Sequence, residues 1–251
     1  MPTAVITGAS QGLGRALATD LAAAGWTLVL DARTAATLDA VARGLGPEVV
    51  AVPGDVTDPE HRYAIAAAVG DRLDLLVLNA SALGPSPLPP LAELGTAELR
   101  EVLETNVVAP HALLRLLLPA LRAATGRVLT LSSDAAVAAY PGWGGYGASK
   151  AALDQLAAVL GAEEPLLLVY AVDPGDMRTA MHAAAFPGED ISDRPEPETV
   201  IPALRRLIHG DLPNGRYEAA TLLAPGDPAA GDPAAGDPAA GDPAVAAPVS
   251  A

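Results

Sequence analysis

The sequence predicts an α/β protein built on a doubly wound parallel sheet. Short, wholly apolar runs alternate with longer amphipathic runs along most of the chain. Apolar runs of this kind are typical of strands covered on both faces, and their alternation with helical patterns predicts parallel strands joined by right-handed crossovers. A glycine-rich turn separates the first strand from the first helix. The ligand of such a sheet is expected at the carboxyl ends of the strands.

The apolar and amphipathic runs define the predicted elements in chain order. Six strands are predicted, at Thr3–Thr7, Leu28–Asp31, Val49–Val52, Leu73–Asn79, Arg127–Ser132 and Leu166–Val172. Five helices are predicted, at Gly12–Ala24, Ala35–Arg43, Pro59–Val69, Thr96–Ala124 and Tyr146–Ala162. The segment Gly215–Leu223 is a candidate for a last strand.

The end of the chain differs in composition from the rest. From Pro225 it repeats Gly-Asp-Pro-Ala-Ala and contains no bulky side chain that could form a core. Proline at every fifth residue blocks a regular helix, and such a repeat buries too little apolar surface to fold. The sequence therefore predicts a single domain over residues 1–223, long enough for a substantial core, and a disordered low-complexity tail over residues 224–251.

Composition disfavours several classes of function. The net charge of −15, with no basic cluster, should repel nucleic acid and anionic membranes. The absence of cysteine excludes disulfides and thiolate metal sites. The four histidines are dispersed without metal-like spacing, so no metal site is expected and we expect them on the surface or on helix faces.

The chain shows no sign of a targeting or membrane segment. It opens on MPTAVITG without a basic region followed by a long apolar one. The most apolar stretch is interrupted by Arg115, Pro119 and Arg122, so we expect no membrane span. A cytoplasmic protein is the resulting expectation.

Lys150 is the single lysine among fifteen basic residues, and it lies four residues after Tyr146. On a helix this spacing places both side chains on one face. A compact ammonium can influence the pKa of a neighbouring phenol, and a planar guanidinium would not replace it there. The alternative is an ordinary helix with a stray lysine.

The glycine-rich turn reads Thr7-Gly8-Ala9-Ser10-Gln11-Gly12-Leu13-Gly14 and leads from a strand into a helix. Glycine allows a tight turn and a close approach of the backbone to a pyrophosphate, which the N-terminus of the helix attracts. The spacing differs from the G-x-G-x-x-G dinucleotide fingerprint. The turn therefore indicates a phosphate-binding site mainly through its position between strand and helix.

Taken in order, these motifs resemble the short-chain dehydrogenase/reductase family in its short, single-domain form. The resemblance covers the chain from Thr3 to about Thr179 and implies a Rossmann-type fold. It rests on TGASQGLG, Asp55-Val56, Asn79-Ala80, Asn106, Ser133, Tyr146 with Lys150, and Pro174-Gly175.

The resemblance implies a proton-transfer set, which is Asn106, Ser133, Tyr146 and Lys150. Tyr146 would be the acid and base at the substrate oxygen, and Lys150, together with a positive nicotinamide in the oxidised complex, would lower its pKa. Lys150 would also bind the nicotinamide ribose. Ser133 would hydrogen-bond the substrate oxygen, and Asn106 would help to hold a water.

The resemblance also implies a cofactor-binding set. Its members are Gly8, Ser10, Gln11, Gly12, Leu13, Gly14, Arg33, Asp55, Val56, Asn79, Ala80, Tyr146, Lys150, Pro174, Gly175 and Thr179. Thr179 would contact the cofactor near its carboxamide.

Three of these assignments have alternatives. Ser132 is adjacent to Ser133 and equally polar, Asn106 could be a polar helix residue satisfied by the backbone, and Asp55 could cap the helix near Pro59.

The chain departs from the family pattern at two places. After the fourth strand the family has Asn-Asn-Ala-Gly, whereas this chain has Leu78-Asn79-Ala80-Ser81. Leu78 replaces the first asparagine and removes a polar side chain that could hydrogen-bond within the sheet. Ser81 replaces the glycine and adds a side chain beside the cofactor. Neither residue is expected to contact the proton-transfer set. The usual C-terminal strand with paired glycines is also missing, so assembly and the substrate lid are expected to be unusual.

Cofactor preference depends on the end of the second strand, Asp31-Ala32-Arg33. An acidic residue at the tip would bind the ribose 2′-hydroxyl, whereas an arginine would bind a 2′-phosphate. Similarity to family members places Ala32 at the discriminating position with Arg33 after it, which favours NADP(H) over NAD(H). A shift of one residue would place Asp31 there and reverse the preference.

The leading function is an NADP(H)-dependent carbonyl reductase or alcohol dehydrogenase acting on a small or medium ketone, aldehyde or secondary alcohol. Tyr140 and Trp143 are candidates to line an apolar pocket with Met177–Phe186, and core packing is the alternative for Trp143. A homo-dimer or homo-tetramer formed through Thr96–Ala124 and Tyr146–Ala162 is expected. The competing hypotheses are an NAD(P)-binding regulatory or scaffolding protein without turnover, and a structural protein whose tail recruits partners.

Overall fold

The computed structural model describes residues 1–223, and a seven-stranded parallel sheet in the order β3-β2-β1-β4-β5-β6-β7 forms its centre. The strands are β1 Thr3–Ile6, β2 Thr27–Ala32, β3 Val49–Pro53, β4 Leu75–Leu78, β5 Arg127–Leu131, β6 Leu168–Asp173 and β7 Gly215–Glu218. The predicted fold class, a doubly wound parallel sheet, is confirmed. The predicted tail over residues 224–251 lies outside the described residues.

Helices follow most of the strands and cover both faces of the sheet. They are α1 Gly12–Ala23, α2 Ala35–Leu45, α3 Pro59–Val69, α4 Thr96–Leu103, α5 Ala109–Ala124, α6 Gly144–Glu163, α7 Ala180–Ala185, α8 Ile201–His209 and α9 Ala219–Leu222. Short 3₁₀ turns lie at Asp134–Ala136 and Pro197–Val200. The predicted last strand ends early, because Gly215–Glu218 pairs with β6 whereas Ala219–Leu222 is helical.

Alternation along each strand divides the core into two layers. In β1, Ile6 packs with α1 and α8 on one face, whereas Val5 packs with α3, α5 and α6 on the other. Both side chains are fully buried. This period of two on a sheet covered on both faces explains why the strand sequences are apolar throughout.

The long helix predicted at Thr96–Ala124 contains an irregularity. A π-helical turn at Glu104–Val108 joins α4 to α5 and contains the buried Asn106. Within the described residues this composite helix, of 29 residues, is long and apolar enough to cross a membrane by length and composition. Core helices of soluble proteins pass the same test, and here Leu113, Leu117 and Leu121 pack in the core.

The strand order reverses beside β1, because the chain passes from β3 at one edge of the sheet to β4 on the other side of β1. Loops leaving β1 and β4 therefore diverge at the carboxyl edge. In open parallel sheets the crevice at such a reversal binds ligands. This topology places the glycine-rich turn after β1 beside the loop that begins at Asn79.

Candidate active site

A cavity of about 720 Å³ lies at the carboxyl edge of the sheet. That volume is in the range of small-molecule and cofactor sites. The cavity is lined by all members of the cofactor-binding set except Gly14 and Gly175. Residues from distant parts of the chain thus meet where the topology predicts a ligand.

The glycine-rich turn is held in a shape that excludes larger residues. Gly8 has a φ of +67°, a conformation that side chains with a Cβ rarely adopt. A Cβ on Gly14 would lie 2.5 Å from the Gly8 carbonyl oxygen and 2.6 Å from Asn79 Nδ2. The Asn79 amide in turn donates to the carbonyl oxygens of Thr7, at 2.8 Å, and Gly8, at 3.1 Å. Gly14 and Asn79 therefore shape the turn from behind.

The N-terminus of α1 opens into this cavity. Its N-cap residue, Gln11, makes no capping hydrogen bond through its side chain, and Gly12 and Leu13 line the cavity. Free N–H groups at the start of a helix, together with the helix dipole, bind phosphate. The donors and the close backbone approach therefore fit a dinucleotide pyrophosphate.

Asp31, Ala32 and Arg33 follow one another at the end of β2 and differ in their surroundings. The Asp31 carboxylate is buried, and its Oδ1 lies 2.6 Å from His61 Nε2. Burial raises the pKa of Asp31, and the contact with His61 partly opposes this. Asp31, Ala32 and the exposed Arg33 all line the cavity. Asp31 is thus engaged by His61, which lies on a face of α3 and is buried there.

Arg15 also lines the cavity and was not identified from sequence. It directly follows Gly14 on the first turn of α1, so a basic residue just after a phosphate-binding glycine was the available signal. Arg33 and Arg178 line the same cavity, and the Arg178 guanidinium is paired with Glu196.

Asp55 does not cap α3. Its Oδ1 accepts hydrogen bonds from the backbone N–H of Thr57, at 2.9 Å, and from the Thr57 hydroxyl, at 2.8 Å, and these bonds lower the pKa of Asp55. The helix is capped instead by Asp58, which accepts from the N–H of Glu60. Asp55 and the adjacent Val56 line the cavity.

Tyr146 and Lys150 lie together on α6 and both line the cavity. The Lys150 Nζ is 5.4 Å from the centre of the Tyr146 ring and donates a hydrogen bond of 2.7 Å to the Leu131 carbonyl oxygen. Lys150 is almost completely buried, and this burial lowers its pKa to about 8. The carboxylates of Asp154 and Asp173 oppose that shift.

The pKa of Tyr146 is raised above its ordinary value. Burial is the main cause, and the Asp173 and Asp134 carboxylates add to it, whereas a hydrogen bond with Ser81 acts in the opposite direction. We expected Lys150 to lower the pKa of Tyr146 together with the positive nicotinamide of the oxidised complex, which adds its own charge. In the protein alone, burial dominates.

Asn106 is satisfied entirely by the protein. Its Oδ1 accepts from the Ala82 N–H at 2.7 Å and from the Ser81 hydroxyl at 3.2 Å. Its Nδ2 donates to the Ala82 carbonyl oxygen at 2.8 Å and to Ser149 Oγ at 2.9 Å. The side chain thus ties the loop after β4 to α6. The Ala82 backbone supplies two of its four partners and serine hydroxyls supply the other two, so the alternative of an asparagine satisfied by the backbone holds only in part. Single π-helical turns inside α-helices are frequently found at functional sites.

The Ser81 contacts correct one expectation from the sequence. We expected neither departure after β4 to touch the proton-transfer set, but Ser81 hydrogen-bonds Asn106 and interacts with Tyr146. Ser81 lies three residues after β4 and lines the cavity together with Tyr146 of α6. Leu78, the other departure, is buried in the apolar layer with Val5.

Ser133 is not directed at Tyr146 in this structure. Its hydroxyl donates to Asp134 Oδ1 at 2.9 Å and accepts from the Ala135 N–H at 3.2 Å, because it caps the 3₁₀ turn after β5. Ser132 lines the cavity, but its hydroxyl donates to Asp154 Oδ2 at 2.6 Å. Within residues 1–223, neither serine hydrogen-bonds the Tyr146 hydroxyl.

Arg216, on β7, is a second residue that sequence reasoning missed. Its guanidinium donates to the Ser133 carbonyl oxygen at 3.0 Å, to Asp173 Oδ2 at 3.0 Å and to Asp154 Oδ2 at 3.2 Å. It thereby holds the backbone at Ser133 and neutralises two carboxylates near Lys150. An arginine inside a short predicted strand was the only signal in the sequence.

The segment after β6 borders the cavity opposite the glycine-rich turn. Pro174 lines the cavity, and the Gly175 N–H donates to Asp173 Oδ1 at 3.1 Å. Thr179 caps α7 by accepting from the His182 N–H, and its methyl group would lie 3.5 Å from a Cβ on Gly12. Gly175 therefore shapes the turn, whereas Thr179 faces the phosphate-binding end.

Tyr146 belongs to an apolar cluster with Leu83, Ala135 and Ala185. Trp143 packs edge-on against the Tyr146 ring, with centroids 5.7 Å apart, and lies 5.9 Å from the Phe186 ring. Leu83 and Met181 belong to the same cluster, and Met181 also lines the cavity. Trp143 therefore packs within this apolar cluster and also lies against Tyr146.

Comparison with known proteins agrees with this geometry. A sequence model of the short chain dehydrogenase family matches residues 2–190. The oxidoreductase YciK of Escherichia coli K12 is 32% identical over 218 residues, which cover 82% of this chain and 86% of that protein. Serine 3-dehydrogenase of Agrobacterium fabrum is 34% identical over 185 residues, 70% of this chain and 72% of that protein.

Solved structures show the same similarity in three dimensions. A short chain dehydrogenase from Escherichia coli CFT073, complexed with NADPH, has a TM-score of 0.80 and 31% identity, covering 87% of this chain and 96% of that one. The matched range, residues 2–190, contains the glycine-rich turn, Tyr146 and Lys150. The chain therefore belongs to the short-chain dehydrogenase/reductase family of oxidoreductases.

Proposed function

We propose that this protein is an NADP(H)-dependent oxidoreductase that transfers a hydride between the nicotinamide and a carbonyl or secondary alcohol. The observation that carries the proposal is the meeting of Tyr146 and Lys150 with the glycine-rich turn in one cavity. A phosphate-binding turn alone would indicate only nucleotide binding. A buried phenol beside an ammonium adds proton transfer to that site.

The cofactor-binding set would hold the nucleotide along the cavity. The start of α1 would bind the pyrophosphate, and Asp55 and Val56 would border the adenine. Arg33, supported by Arg15, would bind a 2′-phosphate, because guanidinium groups pair with phosphate in two-point hydrogen bonds. The NADPH complex of the Escherichia coli CFT073 relative supports this preference.

The nicotinamide supplies or accepts the hydride when the cofactor is bound. Tyr146 would give its proton to the carbonyl oxygen in reduction and take it back in oxidation. Lys150, fixed by the Leu131 carbonyl, would hold the nicotinamide ribose and favour the phenolate. Arg216 would keep the end of β5 in place behind this pair.

The substrate would lie against the apolar cluster beside Tyr146. Trp143, Leu83 and Phe186 belong to it, and the side chains favour a small or medium ketone, aldehyde or secondary alcohol over a charged substrate. Ser133 would need a change of rotamer to reach the substrate oxygen, since it now bonds Asp134. Assembly as a homo-dimer or homo-tetramer and a cytoplasmic location stay predictions.

The alternative is a nucleotide-binding regulatory protein with the same fold and no turnover. Both hypotheses predict cofactor binding, so the decisive experiment follows oxidation of NADPH and NADH with cyclohexanone, acetophenone, benzaldehyde and ethyl acetoacetate. We expect turnover with NADPH and a loss of nearly all turnover in Tyr146→Phe, which should still bind NADPH. A parent protein that binds NADPH but reduces none of the four would support the regulatory alternative.

The cofactor preference is tested with Arg33→Ala. Loss of one charged hydrogen-bonding group should raise the KM for NADPH about 10- to 100-fold and change the KM for NADH little. Arg43→Ala, which removes an exposed arginine near the end of α2, is the matched control and should behave like the parent. Equal or better efficiency of the parent with NADH would contradict the preference.

A further inference from the structure

We propose that Ser81 is a further catalytic residue of this site, whose hydroxyl turns from Asn106 to the Tyr146 oxygen when Tyr146 releases its proton to the substrate. This inference rests on the proposed function, in which Tyr146 is the acid. It assigns a role to the residue at which the chain departs from the glycine of its family.

Ser81 lies at the reacting end of the cavity. It follows β4 by three residues and lines the cavity together with Tyr146. Its hydroxyl donates to Asn106 Oδ1 at 3.2 Å. The same side chain is the hydrogen-bonding partner that opposes the raised pKa of the Tyr146 phenol across the cavity that both residues line. Ser81 therefore has two possible partners and one proton to donate.

The other hydroxyls near this point are already engaged. Ser133 donates to Asp134, and Ser132 donates to Asp154. Ser149 donates to the backbone carbonyl of Tyr146 at 2.6 Å. Of these four serines, only Ser81 donates to Asn106, and Asn106 Oδ1 keeps a second hydrogen bond if that hydroxyl turns away.

Asn106 can release the Ser81 hydroxyl at low cost. Its Oδ1 keeps the hydrogen bond from the Ala82 N–H, which at 2.7 Å is shorter than the bond from Ser81. Its Nδ2 remains bonded to Ala82 and Ser149. Turning of Ser81 therefore leaves no buried amide atom without a partner, which would otherwise oppose the movement.

The step is balanced. In reduction the Tyr146 O–H bond breaks, its proton forms the new O–H bond of the alcohol, and the hydride comes from the reduced nicotinamide. The Ser81 O–H bond stays intact and only its acceptor changes, from Asn106 Oδ1 to the phenolate oxygen. A hydrogen bond to a charged oxygen is stronger than one to an amide oxygen, so the turn stabilises the phenolate inside a site whose burial disfavours it.

The test is the pH dependence of alcohol oxidation, which needs the phenolate. With NADP⁺ and the alcohol that corresponds to the best ketone of the panel, log kcat/KM should rise with pH and then level off. In Ser81→Ala we expect the rising limb to move about 1 pH unit higher, with about a tenfold loss of kcat/KM below the limb. Ser81→Thr keeps the hydroxyl and should restore the parental limb.

Ser86→Ala is the matched control on the same loop. Its hydroxyl donates to the Ala184 carbonyl oxygen at 2.7 Å, so the variant loosens the loop without removing a partner of Tyr146. In Ser86→Ala, the rising limb of log kcat/KM should stay at the same pH as in the parent protein. If Ser81→Ala keeps the parental limb while Tyr146→Phe is inactive, the role of Ser81 is overturned and the proposed function stands. If Tyr146→Phe retains turnover, both fall.

Discussion

Substitution of Gly14 by alanine tests whether the shape of the glycine-rich turn is needed for binding the cofactor. The new Cβ would lie 2.5 Å from the Gly8 carbonyl oxygen and 2.6 Å from Asn79 Nδ2. Neither atom can yield easily, since one is backbone and the other is held by bonds to Thr7 and Gly8. The turn must therefore move away from α1.

The magnitude follows from two opposing effects. Alanine in a helix is favoured over glycine by about 0.5–1 kcal/mol. Overpacking of a methyl group costs about 1–3 kcal/mol. We therefore expect Gly14→Ala to lower the free energy of unfolding by about 1 kcal/mol. The displaced turn should also bind NADPH at least about tenfold more weakly, which corresponds to about 1.4 kcal/mol.

Gly44→Ala is the matched control for this experiment. Gly44 lies in α2, and a Cβ there would meet no atom within 4 Å. This variant should gain about 0.5–1 kcal/mol of stability and bind NADPH like the parent. Urea unfolding and titration of NADPH fluorescence measure both quantities. A Gly14→Ala protein as stable as Gly44→Ala, with the parental Kd, would refute the reasoning.

Two further predictions concern buried polar side chains. Burial in the folded protein lowers the pKa of Lys150 to about 8 from 10.5. The folded state therefore disfavours the charged ammonium, so the contribution of Lys150 to stability is greatest above pH 10.5 and is lost as the pH falls through about 8. The unfolding free energy of the parent minus that of Lys150→Met should therefore rise with pH across this window, by at most about 1.4 kcal/mol per pH unit; urea melts showing a flat or falling difference would contradict it. His61→Leu leaves the buried Asp31 carboxyl with the Gly8 backbone N–H but without its ring partner and should cost about 3–5 kcal/mol, whereas the double variant Asp31→Leu with His61→Leu should recover much of the loss. Equal unfolding free energies of the parent and His61→Leu would show that the pair is not needed.

Most of the fold could be predicted from sequence, because it depends on local patterns. β1, β2 and β5 begin and end within a residue or so of the predicted bounds, since a strand covered on both faces is apolar throughout. The π-helical turn around Asn106 could not be predicted, because it depends on contacts of Asn106 with Ala82 and Ser149. The end of β7 depended likewise on pairing with β6, which no local pattern records.

The candidate site was predictable only in part. Spacing on a helix was sufficient to place Lys150 beside Tyr146, and strand-turn-helix order was sufficient to place the glycines. The same reasoning did not reveal the direction of a hydroxyl. Ser133 and Ser81 differ in this respect: the first turns to Asp134 and the second faces the cavity.

Sequence by itself determined the order of strands and helices, the glycine-rich turn and the pairing of Tyr146 with Lys150, because each depends on residues close together in the chain. Only the tertiary structure decided which distant groups meet. It joined Asp31 to His61, Arg216 to Ser133, and Ser81 to Asn106. Those contacts depend on how crossovers return to one edge of the sheet, and this long-range geometry brings Ser81 to the atom that we expect to carry the proton.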